Sequence, residues 1–282
     1  MKVVNTITEL QELIKHEKSQ HHSIGLVPTM GFLHEGHRAL LKRARQENEM
    51  IVLSVFVNPL QFGPNEDLAN YPRDFDRDQK VAEEVGVDIL FHPSVQEMYP
   101  NELSITMQVH KRTNVLCGKS RPGHFDGVVT VLTKLFHLVQ PNKVYFGKKD
   151  AQQVAVVDSL VNDLNFPLQI VAVDTVREHD GLAKSSRNVY LTEEERAQAP
   201  ILYRSLQRGL ELIRAGEKNP ESVISCIADM IHAETTGEVD YVSMLSYPNL
   251  EKVELINGDY IIALAVKFSK ARLIDNVIFK QE

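Results

Sequence analysis

The chain has 282 residues, with 31 lysines and arginines against 38 aspartates and glutamates, for a formal net charge of -7. At 43% hydrophobic and 24% charged its composition is globular, which excludes a disordered chain. The acidic balance excludes a protein built to grip nucleic-acid phosphates.

At this length one core is near its limit, and two domains are expected. Cys117 and Cys226 lie far apart and match no zinc spacing, so neither a disulfide framework nor a metal cluster is implied. The opening M-K-V-V-N-T-I-T-E-L acquires polar and acidic residues too early for a signal peptide. The longest apolar run, Tyr260 to Val266, is too short to span a bilayer. Together these features predict a soluble protein of a reducing cytoplasm.

Thr6 to Ser19 reads as a helix, with Ile7, Leu10, Leu13 and Ile14 on one face and Thr8 with Gln11 as a capping pair. Ser23 to Pro28 is a short apolar strand, followed by a glycine-containing turn and a basic helix to about Asn48. Met50 to Val57 is apolar along nearly its whole length, as a strand covered on both faces would be. The polar loop from Asn58 to Tyr71 is long enough to be functional. A helix from about Asp74 to Val85 and a strand from Val87 to His92 follow. A helix from about Phe125 to Val139 precedes a strand from Lys143 to Phe146. Next come a helix carrying Val154, Val157 and Leu160 and a strand from Leu168 to Val173.

This alternation predicts an α/β fold with a doubly wound, mostly parallel sheet. Beyond Thr175 the pattern changes. A long helix (Glu193 to Ala215) and a shorter one (Ser222 to Ala233) precede three strand-like segments without intervening helices. That reads as a small α+β domain with an antiparallel sheet. The boundary falls in the turn-rich stretch from Arg177 to Leu191, giving a binding domain over residues 1–176 and a lid domain over 177–282.

In open parallel sheets, ligands bind beyond the carboxyl ends of the strands. Three polar, glycine-containing segments follow predicted strands there, and a fourth lies beyond the last. The first is V-P-T-M-G-F-L-H-E-G-H, Val27 to His37. Gly31 and Gly36 let backbone approach a ligand, and a helix starting here points amide N–H groups and its positive dipole end outward. His34 and His37 share one helix face and can donate to one polyphosphate. Gly31 and Gly36 have P-loop spacing, but His37-Arg38 stands where Lys-Ser/Thr is needed. H-E-x-H is one residue short of the zinc-protease motif, and Gly118-Lys119-Ser120 lacks the glycine five residues earlier.

N-P-L-Q-F-G, Asn58 to Gly63, offers amide side chains suited to a small polar substrate. F-G-K-K-D-A-Q-Q, Phe146 to Gln153, sets adjacent lysines to stabilise phosphate charge, with Asp150 for a ribose hydroxyl or a metal. A-K-S-S-R-N, Ala183 to Asn188, places two serines between cations as an anion clamp. Each has a plainer reading as surface histidines, loop punctuation, a solvated lysine pair or a polar linker. Lys111, Arg112, Lys119, Arg121 and His124 add a basic region that would focus a small anion. The joint placement points to transfer of a nucleotidyl group from ATP.

In these motifs the chain resembles the pantothenate synthetase (pantoate–β-alanine ligase) family. P-T-M-G-F-L-H-E-G-H is similar to that family's version of the HIGH motif of the nucleotidyltransferase superfamily. F-V-N-P-L-Q-F-G, Y-P-R, R-P-G-H-F-D-G-V-V-T-V-L-T-K-L-F, F-G-K-K-D-A-Q-Q and S-S-R-N resemble its other signatures, in the family's order, between Val27 and Leu191. The resemblance implies a Rossmann-like fold, a cytoplasmic homodimer, Mg²⁺, and ATP-dependent condensation of pantoate with β-alanine. Pantoyl adenylate is the implied intermediate, with pyrophosphate and then AMP released; no nucleic acid or membrane takes part.

The resemblance also implies site roles. Met30, Gly31, Phe32, Leu33, His34, Glu35, Gly36 and His37 would line the nucleotide, with His34 and His37 on the phosphates and His37 as proton donor. Gly147, Lys148, Lys149 and Asp150 would serve the α-phosphate and ribose, and Val176 would meet adenine through its backbone. Lys184, Ser185, Ser186 and Arg187 would close over the β- and γ-phosphates. Gln61 and Gln153 would hold pantoate with support from Asn58, Arg121 and His124 would shape the site, and Asp78 would be an outer partner of Mg²⁺. Lys148 and Lys184 depart from the family, which usually has an acidic residue and a methionine there; both add positive charge. Two alternatives stand beside this reading: another HIGH-motif nucleotidyltransferase, or a non-catalytic ATP-binding sensor.

Overall fold

The computed structural model describes residues 1–64 and 66–280. In chain order the first elements are β1 (Lys2–Val4), α1 (Ile7–Ser19), β2 (Ile24–Thr29), α2 (Glu35–Glu47) and β3 (Met50–Val55). They are followed by α3 (Phe75–Val85), β4 (Ile89–Phe91), α4 (Val95–Met98), α5 (Leu116–Ser120) and α6 (His124–Val139). Then come β5 (Lys143–Gly147), α7 (Ala151–Asp163) and β6 (Gln169–Val173). The last are α8 (Glu193–Gln198), α9 (Ile201–Arg214), α10 (Pro220–Glu234), β7 (Glu238–Ser246), β8 (Tyr260–Lys267) and β9 (Arg272–Phe279).

The chain forms two compact units. One comprises Met1–His110, Arg121–Lys148 and Val156–Asp174; the other comprises Lys111–Ser120, Lys149–Ala155 and Thr175–Glu282.

The first unit is built on a six-stranded sheet in the order β1-β4-β3-β2-β5-β6, every pair parallel. All six residues of β3 are buried, Ser54 included, as a nearly continuous apolar run predicts. Val27 of β2 packs with Leu40 and Leu41 of α2. Leu26 alternates to the opposite face and is also buried, so the strand is covered on both sides. Strand order runs outward in one direction from β2 through β3 and in the other through β5. The reversal between β2 and β5 is where a doubly wound sheet opens a ligand crevice at its carboxyl end.

Two local expectations are corrected, and one element is added. Thr6, not Thr8, caps α1, its hydroxyl accepting from Glu9 N at 3.3 Å, because T-x-x-E begins two residues earlier. The three-residue strand β1 carries too short a pattern to read and joins the sheet by pairing with β4. The single helix expected from Glu193 to Ala215 is two, α8 and α9. Pro200 has no N–H to continue the first and instead opens the second.

In the second unit, β7, β8 and β9 form an antiparallel sheet with β8 central, its residues Tyr260 to Val266 buried. Leu202, Leu206 and Leu210 of α9 and Val223, Ile227 and Ile231 of α10 pack with Ile262, Leu264 and Val266. Their i, i+4 spacing places them on one face of each helix. No helix among the described residues is long and apolar enough to cross a membrane.

Candidate active site

Beyond β2 the chain turns sharply. Thr29 Oγ1 donates to Ser54 O at 2.8 Å and accepts from Gly31 N at 3.2 Å. Gly31 and Phe32 both have positive φ, 86° and 51°. Phe32 N and Leu33 N then donate to Asp78 Oδ2 and Oδ1 at 2.8 and 2.6 Å. Only glycine suits position 31, where a Cβ would lie 2.8 Å from Asp78 Oδ2.

Asp78 is 1% exposed. Burial raises its carboxyl above the usual aspartate range, while the two amide bonds pull the other way. With each oxygen accepting a backbone amide, Asp78 anchors this loop. Among the described residues no group of three or more His, Cys, Asp and Glu is arranged to hold a metal ion.

The loop delivers His34 as the N-cap of α2. His34 Nδ1 accepts from Gly36 N at 3.1 Å, and His37 Nδ1 accepts from His34 N at 3.2 Å. This is a reciprocal capping box made of two imidazoles. It fixes both tautomers: with Nδ1 an acceptor on each ring, the hydrogen sits on Nε2. The ring centroids are 4.1 Å apart, so two Nε2–H donors stand side by side at a helix N-terminus. Gly36 makes room for this, since a Cβ there would lie 2.8 Å from His34 Cε1.

Beyond β3, Asn58 is 1% exposed and forms a hub. Its Nδ2 donates to Gln61 Oε1 at 3.1 Å and to Gly127 O at 3.0 Å. Its Oδ1 accepts from Leu60 N at 3.3 Å and Tyr99 Oη at 3.0 Å. Gln61 is thus held with Nε2 directed at Met30 Sδ, 3.1 Å away and a weak acceptor.

Arg121 and His124 brace the same loop. Arg121 grips Glu66 through two bonds, 2.7 and 2.6 Å, and also donates to His124 Nε2 at 3.1 Å. That leaves His124 Nδ1 to donate to Gln61 O at 2.8 Å. Burial pushes the Glu66 carboxyl up, but Arg121 outweighs it and the net shift is downward.

Gly127 seats α6 against this turn: a Cβ there would lie 2.1 Å from Leu60 O and 2.6 Å from Gln61 N. Gly127→Ala is therefore expected to displace Gln61 and to cost about 1–3 kcal/mol through overpacking. A thermal melt of the variant beside wild type checks this; an unchanged melt contradicts it.

Gly147 ends β5, and Lys148 pairs with Asp174 at 2.6 Å. In the second unit, Lys149 Nζ lies 3.7 Å from Asp150 Oδ1, and its carbonyl accepts from Asn276 Nδ2 at 2.8 Å. Gln153 is half-buried, whereas the adjacent Gln152, which the sequence did not single out, is buried. Its amide donates to Arg112 O and Val115 O and accepts from Gly118 N, tying the 111–120 segment to the start of α7.

Val176 O accepts from Lys184 N at 2.9 Å across a turn closed at Gly181, φ 95°. The turn is anchored by Arg177, which meets Asp275 through two bonds of 2.6 and 2.9 Å and lies 3.5 Å over the Tyr203 ring. Lys184 pairs with Glu178 at 2.9 Å, so Lys148 and Lys184 each carry an acidic partner. Ser185 then caps a 3₁₀ turn over Ser186–Tyr190, its hydroxyl accepting from Arg187 N at 3.3 Å.

A parallel sheet with a tight loop and two fixed imidazole donors beyond its central strand defines an α/β enzyme of the doubly wound class. Within that class the assignment is specific: the profile of the family described as Pantoate-beta-alanine ligase matches residues 2–278. The chain belongs to that family. It is 62% identical over 279 residues to pantothenate synthetase of Bacillus pumilus, covering 99% of this chain and 96% of that one. To the Bacillus subtilis enzyme it is 60% identical over 278 residues, covering 99% and 97%. Among solved structures, pantothenate synthetase from Thermus thermophilus superposes with a TM-score of 0.93 at 46% identity, covering 98% of this chain and 99% of that one. Pantoate-beta-alanine ligase from Francisella tularensis, complexed with beta-gamma ATP and beta-alanine, gives 0.80 at 34% identity, covering 99% and 97%.

Proposed function

We propose that the chain joins pantoate to β-alanine at the expense of ATP, and that the residues described above divide the work. The carrying observation is the pair of imidazoles whose Nδ1 atoms are spent on the α2 cap, presenting Nε2–H as donor. The pantoate carboxylate is ionised at neutral pH and attacks the α-phosphorus without a general base. The bond from the α-phosphorus to the bridging oxygen breaks, pyrophosphate leaves and pantoyl adenylate forms. The β-alanine amine then attacks the acyl carbon, AMP leaves with the anhydride electrons, and the amine gives up a proton.

Such chemistry needs alignment of anions and neutralisation of phosphate charge. Met30 to His37 line the nucleotide, His34 and His37 donate to the phosphates, and Gly147, Lys148, Lys149, Asp150 and Val176 serve the α-phosphate, ribose and adenine. Ser185, Ser186 and Arg187 close on the β- and γ-phosphates, where Lys184, paired with Glu178, adds charge nearby. Gln61 and Gln153 hold pantoate; Asn58, Arg121 and His124 position Gln61. Mg²⁺ enters with ATP; the described side chains offer no three-donor cluster for it, so no step is assigned to a protein-bound metal. The binding role falls to residues 1–176 and the lid role to 177–282, a division by function that differs from the two compact units chiefly at segments 111–120 and 149–155, and the enzyme is a cytoplasmic homodimer.

Product stoichiometry tests the reading. One AMP and one pyrophosphate are expected per pantothenate; ADP and inorganic phosphate in their place would overturn it.

A further inference from the structure

Tyr99 lies outside every motif that marks the site, in the M-Y-P stretch just after α4. Its ring is held 6.0 Å from Phe56, with Lys134 Nζ 5.6 Å from its centroid. Burial raises the phenol's pKa, so the hydroxyl remains a donor across the neutral range. That donor reaches Asn58 Oδ1 at 3.0 Å.

An amide side chain has two ends of nearly equal size and opposite hydrogen-bonding character, so its orientation must be imposed by partners. Tyr99 Oη and Leu60 N fix the oxygen end of Asn58, which turns Nδ2 toward Gly127 O and Gln61 Oε1. Gln61 Oε1 is thereby fixed facing an N–H₂ group, and Nε2 faces the Met30 thioether at 3.1 Å, its hydrogen-bond partner among the described residues. A Gln61 presenting N–H is complementary to a carboxylate or to the lone pairs of a hydroxyl. A flipped Gln61 would present an oxygen and repel the carboxylate.

We infer that Tyr99 is a positioning residue for the hydroxy-acid substrate, acting through Asn58 to hold Gln61 with its donor end toward pantoate. This rests on the assignment of Gln61 to pantoate made above.

The test is a two-by-two set of wild type, Tyr99→Phe, Gln61→Ala and the double variant, with KM for pantoate and for ATP, kcat and melting temperature measured on each. Tyr99→Phe is expected to raise KM for pantoate roughly 3–10-fold, the effect of one net hydrogen bond, and to leave KM for ATP within about twofold. On the Gln61→Ala background the same substitution is expected to add nothing, because the residue it acts through is gone. Equal losses for pantoate and ATP with a lowered melt, or full additivity in the double variant, would show a merely structural tyrosine and overturn the inference. If Gln61→Ala raises KM for pantoate and Tyr99→Phe does not, the relay fails while the site assignment stands. If Gln61→Ala leaves KM for pantoate unchanged, the site assignment itself fails, and the inference with it.

Discussion

Replacing His37 with alanine is expected to slow pyrophosphate formation from ATP and pantoate by about 10²–10³-fold, the usual cost of removing one fixed donor from a developing charge. Two roles are combined in this residue, and a second substitution separates them. His37 Nδ1 accepts from His34 N and so completes the helix cap; its Nε2–H is the donor assigned to phosphate. Alanine removes both, and loss of the bond to His34 N adds about 0.5–1.5 kcal/mol of destabilisation. Glutamine is the residue ordinarily favoured three positions after an N-cap, because its side chain can reach back to the N-cap amide. His37→Gln is therefore expected to melt like wild type and still to lose most of its activity. Were it fully active, the imidazole would matter only as a cap.

The second large effect is expected at a residue that touches no reacting atom. Asp78 accepts from Phe32 N and Leu33 N with separate oxygens in a site 1% exposed. Asp78→Ala strands two buried N–H donors at about 1–3 kcal/mol each. Asp78→Asn satisfies only one of them and turns an N–H₂ against the other. At about 2–4 °C per kcal/mol for a chain of this size, the alanine variant should melt roughly 5 °C or more below wild type. The left-handed turn at Gly31 and Phe32 depends on these bonds, and the turn aims His34 and His37. A fall in kcat of at least about tenfold, beyond any loss of folded protein, is expected if that geometry matters. A correctly melting, fully active Asp78→Asn would remove Asp78 from the account.

Much of the fold follows from local pattern. The buried run of β3, the helical spacing of α6 and the change of texture after Thr175 each locate an element because each buries one recognisable face. Long-range contacts are not written in this way. β1 exists only by pairing with β4. The break between α8 and α9 turns on Pro200, inside what is otherwise one amphipathic pattern.

The site divides similarly. The glycine turn and the two histidines were legible because their spacing has a mechanical meaning. What each residue does within the site was less so. Asp78 carries no sequence mark of the two backbone amides, Phe32 N and Leu33 N, that it holds. Gln152 and Gln153 are indistinguishable in sequence, yet one is tied to three backbone groups. Tyr99 and Glu66 act through partners 41 and 55 residues away, at separations that no periodicity reports.

The central claim is that acyl activation precedes and does not require the amine. Mixing enzyme with saturating ATP, Mg²⁺ and pantoate, with β-alanine withheld, tests this most directly when pyrophosphate is followed through the first turnover. A burst of close to one pyrophosphate per active site, with AMP appearing only after β-alanine is added, is the predicted result. Absence of pyrophosphate until β-alanine is present would contradict the two-step account.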